Sequence, residues 1–175
     1  MSVQREKLVA ESRTVMTEMI MPNDTNPLGN LMGGNLMRWM DIAGSICAAK
    51  HCESHVVTAS VDHVSFQAPI NEGDVITLTA TATRAFNTSV EIFVEVSAAD
   101  ITGANARKSN HAYLTFVALE AETKKPIKVP GLRPITTEET KLYESGARRR
   151  ELRLLLSGRI RAEEAKDLKD YFRDK

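Results

Sequence analysis

The stretch Met21-Pro22-Asn23-Asp24-Thr25-Asn26-Pro27-Leu28-Gly29-Asn30-Leu31-Met32-Gly33-Gly34 runs directly into Asn35-Leu36-Met37-Arg38-Trp39-Met40-Asp41, and the change of pattern between them decides the fold. The first part is dense in Pro, Asn, Asp and Gly, which predicts a long loop with several special backbone conformations. In the second, apolar residues at 36, 40, 43 and 47 repeat at helical spacing, which predicts a helix over 35–50. Most of its circumference is apolar, so it should be largely enclosed.

Downstream the period changes to two. Val56 to Gln67 is rich in Val, Thr and Ser; Val75 to Arg84 alternates Ile76, Leu78 and Ala80 against threonines; Val90 to Val96 alternates Val90, Ile92, Val94 and Val96 against Glu91, Phe93 and Glu95. These are strands. Pro69 to Asp74 separates the first two, Ala85 to Thr88 makes a tight connection to the third, and a bend around Gly103 leads to a fourth over Lys108 to Leu119. An earlier strand over Arg13 to Met21 adds to an edge. Consecutive, hairpin-linked strands after one long helix predict an α+β antiparallel meander, with the helix packed on one face of a curved sheet.

Residues 1–135 form this domain, and 136–175 read as a charged helical C-terminal extension. Within the extension, Leu152, Leu155, Leu156 and Ile160 predict a helix over Glu151 to Arg161. The basic run Arg148-Arg149-Arg150 reads as a solvated helix face rather than a phosphate site.

With 42% hydrophobic and 26% charged residues and no formal net charge, the chain has the composition of an ordinary globular protein, and neither nucleic acid nor an anionic membrane is implied as a partner. Apolar runs stop well short of the roughly 20 residues that span a bilayer, and the N-terminus lacks the apolar region of a signal peptide. The expectation is a cytoplasmic protein without membrane insertion. Cys47 and Cys52, five apart on one helix, point in different directions and read as free thiols. The cluster His51, Cys52 and His55 lacks a second ligand pair at zinc-like spacing, so no metal is expected.

Two features carry chemistry. A Gly-Gly pair at a helix start lets a ligand approach closely, and the unpaired N–H groups there favour negative charge on an oxygen, so Gly33 and Gly34 outline an oxyanion site. Asp41 lies two turns into a mostly apolar helix, where a carboxylate is costly to bury unless it is paired or used. Plainer readings stand beside these. Asp41 can pair with Arg38 at i−3, the glycines can serve only close packing of helix on sheet, and Asn26 can be a turn residue.

The order Asp24-Thr25-Asn26, Gly29, Gly33-Gly34 and Met40-Asp41, with Ser65-Phe66, Gly73-Asp74 and Thr88-Ser89-Val90 downstream, resembles the hotdog-fold acyl-CoA thioesterases, specifically the broad-range bacterial and brain-type cytosolic hydrolases. The likeness covers about residues 10–130. It implies hydrolysis of acyl-CoA to free fatty acid and CoA, a part in fatty acid metabolism, and no cofactor beyond the coenzyme A of the substrate. It implies also a homo-oligomer: a dimer as the active unit, sheets joined edge to edge and sites shared between protomers, and a trimer of dimers, a homohexamer. In that picture Asp41 acts as general base on water, or as nucleophile, Asn26 of the other subunit orients water or substrate, and the Gly34 N–H polarises the thioester carbonyl. Gly33, Phe66, Thr88 and Ser89 would meet the CoA end along the sheet edge, with Arg84, Arg107 or Lys108 near its phosphates. By residue type alone, Phe66 and Trp39 would otherwise be core, and the acyl chain would lie along Met37, Met40 and Phe66.

Two alternatives use the same fold. Acyl-thioester dehydratases and hydratases need a histidine near the loop before the helix, and Met21 to Met40 contains none. A non-catalytic acyl-CoA sensor would add a DNA-binding module, and no basic recognition helix stands out.

Overall fold

A five-stranded antiparallel sheet wraps one long helix in the computed structural model, which describes residues 5–173. The elements are β1 (Glu6–Leu8), α1 (Val9–Ser12), β2 (Thr14–Met19), α2 (Gly33–Cys52), β3 (His55–Phe66), β4 (Val75–Ala85), β5 (Ser89–Ala99), β6 (Arg107–Leu119), β7 (Gly131–Arg133), α3 (Thr137–Leu156) and α4 (Lys166–Arg173). The chain divides into two compact units, one ending at Arg133 and the other beginning at Pro134.

In the first unit the strand order is β2-β4-β5-β6-β3. Only β4, β5 and β6 form the expected meander; β3 crosses to the far edge and pairs with β6 rather than β4. The reason lies in the β3–β4 connection. Residues 67–74 do not make a tight hairpin: Asn71 bridges Asn30, and Leu31 N–H donates to the Ile70 carbonyl at 2.8 Å, so the segment is tied to the loop before α2.

The period-two alternation puts Ile76, Leu78, Ala80, Val90, Ile92, Val94, Val96, Leu114 and Phe116 on the helix-facing side, all fully buried. Leu36, Met40, Ala43, Cys47 and Ala48 of α2 close the core from the other side. Each large aliphatic or aromatic side chain buried in this way contributes about 1.5–3 kcal/mol. Gly44 is required by this packing, since a Cβ there would lie 3.1 Å from the Phe116 ring. The carboxyl end of α2 stops at Glu53, in the left-handed region at φ 53°, and the buried Lys7 ammonium donates to the Lys50 carbonyl at 2.6 Å. A cation there satisfies a terminal carbonyl and complements the helix dipole.

The edge strand β3 is twelve residues long, and Val57 and Val61 are 47% and 40% exposed. Long edge strands with exposed apolar side chains are surfaces on which another chain pairs.

In the second unit, Thr136 caps α3: its hydroxyl accepts from Glu139 N–H at 3.1 Å, and the Glu139 carboxylate accepts from Thr136 N–H at 3.1 Å. The helix starts earlier than the leucine pattern predicts and ends at Leu156, with Gly158 at φ 69°. Ile160 therefore lies outside it. Arg148, from the basic run, stacks its guanidinium 4.7 Å from the Tyr171 ring centre. Among the described residues no helix is long and apolar enough to cross a membrane.

Candidate active site

The loop before α2 is built around Asn26 and Asp24. The Asn26 side-chain oxygen accepts from Leu28 N–H at 2.9 Å and Asn30 N–H at 3.2 Å, and Gly29 completes the turn at φ 73°. Asn26 is thus a turn residue, as its type allows, and its amide nitrogen has no protein partner among the described residues. Asp24 ties the loop to the helix, because its carbonyl accepts from Met32 N–H at 2.9 Å and from the Asn35 side-chain amide at 3.3 Å.

At the helix start, Met32 supplies no side-chain cap, so the first-turn N–H groups at Gly33 and Gly34 lack an intrahelical acceptor. A Cβ on Gly33 would sit 3.5 Å from the Phe66 ring, in ordinary contact; a Cβ on Gly34 would meet nothing within 4 Å. Close packing of helix on sheet therefore does not account for Gly34. Beside this helix end lies a pocket of about 230 Å³, lined among others by Asn30, Gly33, Leu36, Phe66, Gln67 and Asn110. Phe66 is 59% exposed and forms a wall of this pocket, whereas Trp39 is core; residue type predicted core for both. Met40 is fully buried and Met37 half-buried, and neither lines the pocket.

Asp41 is half-buried on α2, and its Oδ1 accepts from the Thr58 hydroxyl at 2.6 Å. No ion pair to Arg38 is recorded among the described residues, so the plain pairing at i−3 does not explain the carboxylate. The second oxygen, Oδ2, has no protein donor among the described residues. Thr58 was invisible to pattern reading. It lies 17 residues from Asp41 in a Val- and Thr-rich strand, and only the wrapping of β3 over α2 brings the two together.

The remaining expected site residues divide between two ends of the sheet. Phe66 pairs with Asn110 in register, so Phe66, Arg107 and Lys108 share the pocket end. Ser89 pairs with Val117, which pairs with Val57; Thr88, Ser89 and Arg84 therefore lie at the Thr58 end. Nine residues of strand separate Val57 from Phe66, roughly 30 Å. One chain does not bring Phe66 together with Thr88 and Ser89. Arg107 is engaged by its own fold, since its guanidinium donates to Asp74 at 2.6 Å and to the Pro69 carbonyl at 3.0 Å, pinning the β3–β4 connection. Lys108 is 77% exposed and pairs with Glu95 at 3.2 Å.

At the far end of α2, Cys47 and Cys52 are buried free thiols, pushed up to about 11 and about 12 by burial. At those values they remain protonated and unreactive. Buried His51 is lowered from its ordinary value, chiefly by desolvation. Its Nε2 lies 3.0 Å from the Pro130 carbonyl, which can only accept, so Nε2 carries the hydrogen and Nδ1 is left without a partner. Among the described residues no group of three His, Cys, Asp or Glu side chains could hold a metal.

Residues 28–104 match the model of the thioesterase superfamily. An uncharacterized acyl-CoA thioester hydrolase of Bacillus subtilis is 36% identical over 85% of this chain and 86% of its own. The chain belongs to the thioesterase superfamily. The rat cytosolic acyl coenzyme A thioester hydrolase is 36% identical over 79% of this chain, which spans 36% of that longer protein. Among solved structures, the acyl-CoA hydrolase of Staphylococcus aureus in complex with butyryl-CoA, CoA and CoA disulfide superposes with a TM-score of 0.81 at 34% identity, covering 88% of this chain and 95% of that one. Alanine variants of that enzyme at an aspartate, a threonine and an asparagine have also been solved. An apo-hexameric acyl-CoA thioesterase gives 0.84 at 35% identity, over 87% and 97%. These likenesses establish the hotdog fold.

Proposed function

We propose that the protein hydrolyses acyl-CoA thioesters, with Asp41 as general base and the amino end of α2 as oxyanion site. The observation that carries the reading is Asp41 itself, a half-buried carboxylate on the central helix held by the Thr58 hydroxyl and with one oxygen lacking a protein donor among the described residues. Water attacks the thioester carbon as Asp41 takes its proton, the Gly34 N–H stabilises the oxygen that becomes negative, and the C–S bond then breaks, with the proton returning to sulfur. Base catalysis and oxyanion stabilisation are each worth about two to four orders of magnitude in rate. The step is complete without a metal or cofactor.

Asp41 and Gly34 are seven residues apart on one helix, about 10 Å along its axis. They cannot both reach one thioester carbon. Gly33, next to Gly34, lines the pocket, and Asn26 is hydrogen-bonded to Asn30 of its lining, while Asp41 and Thr58 form a second cluster, so the chain carries two half-sites. An antiparallel dimer through the open β3 edge supplies Asp41 and Thr58 from one protomer to Asn26 and Gly34 of the other. The hexameric neighbour supports assembly into a trimer of such dimers. In the S. aureus enzyme the replaced asparagine, aspartate and threonine stand at the same intervals along the chain as Asn26, Asp41 and Thr58 here, which supports assigning these three to one site. A cytosolic relative supports a cytoplasmic location.

The test is release of free thiol from acyl-CoA by purified protein. Asp41→Asn should lower kcat at least about a hundredfold with the fold intact. Asn26→Ala should lower it less, and co-refolding the two variants should restore activity toward roughly a quarter of wild type, the share of intact sites in random two-fold pairs. Near-normal turnover in Asp41→Asn would overturn the mechanism, and no gain on mixing would place the whole site in one subunit.

A further inference from the structure

The face of the sheet turned away from α2 carries a pair of imidazoles that the proposed chemistry does not use. Phe93, His111 and Tyr113 alternate along β5 and β6 with the buried Ile92, Val94, Ala112 and Leu114, so they point away from the helix. The His111 ring centre lies 5.8 Å from that of Phe93 and 5.7 Å from that of His63 on β3. His63 reaches this face through a bulge. Asp62 pairs with Tyr113 and Ser65 with His111, so β3 carries one extra residue between them, and His63 sits in the left-handed region at φ 50°. A bulge of this kind ordinarily takes glycine, and it re-aims a side chain. The ring nitrogens of His63 and His111 have no hydrogen-bond partner among the described residues. Two imidazoles bound to one tetrahedral ion, with nitrogens about 2.0–2.1 Å from it, hold their ring centres roughly 5–6 Å apart, the spacing seen here.

One chain stops at two such ligands, and a second copy completes the set. In the two-fold pairing of β3 edges that joins the half-sites, Asp41 and Thr58 meet the partner's Gly34. Phe66 is the β3 residue that packs beside Gly33, so Thr58 comes opposite the partner's Phe66 and the axis passes midway between them, at Asp62. The two copies of His63 are then diagonal neighbours, with Cα atoms roughly 7–8 Å apart and imidazoles within reach of one ion. Asp62, whose carboxylate accepts from the Ser60 hydroxyl at 3.1 Å, shares this face and would stand opposite its own copy. Like charges directly opposite repel, and a cation on the axis offsets them.

We infer that His63 and His111 of both protomers hold one divalent d-block cation on the dimer axis, with zinc matching the tetrahedral set of four imidazole nitrogens. The ion ties the two β3 edges together on the opposite face of the sheet from Asp41, and Phe93 and Tyr113, with ring centres 4.8 Å apart, give it an apolar flank. The inference rests on the β3-paired dimer of the hydrolase reading and adds a ligand for its axis.

The experiment uses untagged full-length protein stripped with EDTA, titrated with zinc chloride by calorimetry and counted for metal by mass spectrometry. One zinc ion should bind for every two chains, and magnesium, which prefers oxygen ligands, should not bind there. His63→Asn, whose side chain tolerates the left-handed backbone, and His111→Gln should each weaken zinc binding at least about a hundredfold, more than the loss of an outer-shell partner costs. One ion per chain, undiminished binding in either variant, or no binding by the folded wild-type dimer would each overturn the site. The two readings fail separately. Restored activity on mixing Asp41→Asn with Asn26→Ala in EDTA, without zinc binding, would strike the metal site and keep the shared catalytic dimer. One zinc ion per two chains, with no thiol released from any acyl-CoA, would strike the hydrolase reading and keep the metal site.

Discussion

The two halves of α2 have the same backbone and opposite surroundings. At the amino end Gly34 faces open space, Asp41 is half-buried, and the first-turn N–H groups have no cap. Toward the carboxyl end Gly44 is pressed against Phe116, Cys47 and His51 are sealed from solvent, and Lys7 caps the last turn. One half leaves polar groups unsatisfied where a substrate can use them, and the other buries Ala43, Gly44, Cys47, Ala48, His51 and Cys52 against the sheet while Ile46 and Lys50 face outward. A helix that is well packed along half its length can hold the other half rigid while it stays incomplete, which is the preorganisation that a catalytic site needs.

The contrast is most sharply broken at Asp41, where the hundredfold loss proposed for Asp41→Asn should come with a melting temperature within a few degrees of wild type, by scanning fluorimetry. Next come the two glycines. Gly44→Ala should destabilise by about 1 kcal/mol net, because displacing the buried Phe116 ring costs roughly 1–3 kcal/mol and the better helix former returns up to about 1. Urea unfolding reads this, and kcat of the folded fraction should be unchanged. Gly34→Ala should show the reverse pattern, with stability equal or slightly higher and turnover reduced, since a methyl group would occupy the space where the carbonyl approaches; equal turnover would remove Gly34 from the site. Thr58→Val keeps the shape and deletes the donor to Asp41, and should lower kcat about tenfold without unfolding the chain.

The smallest effect belongs to His51. Its folded value lies below its unfolded one, so the unfolded state takes up the proton first; stability is fully present above about pH 6.5 and is lost as pH falls below it. In His51→Gln, where an amide can still donate to Pro130, urea midpoints should fall less between pH 7.5 and 5.5 than in wild type. Parallel slopes would mean that His51 does not titrate on unfolding.

The helix, the strands and their alternation were legible because periodicity is a local property: 35–50 and the runs at 75, 90 and 108 lie inside observed elements, and the run at 56 overshoots β3 by one residue. Asp41 and the Gly-Gly pair stood out as candidates because a carboxylate in an apolar helix and two glycines at a helix start are out of place in their segments, whereas Asn26 reads as a turn residue and was singled out only by the family resemblance. Strand order was not, since the Pro69–Asp74 break reads as a turn whether β3 joins β4 or crosses to β6. Nor was the engagement of Arg107 by Asp74, or the exposure of Phe66, because an arginine and a phenylalanine look alike in sequence whether or not their neighbours leave them free.

By itself, the order of residues determined that a loop rich in Asn and Gly feeds an apolar helix bearing one carboxylate, and that alternating strands follow. Tertiary structure decided that Thr58 reaches Asp41, that three carboxamides share one pocket, and that β3 crosses to the far edge of the sheet. The reason is range: propensity and periodicity act over a few residues, while a site is assembled from side chains whose separation depends on how distant strands are wrapped around the helix.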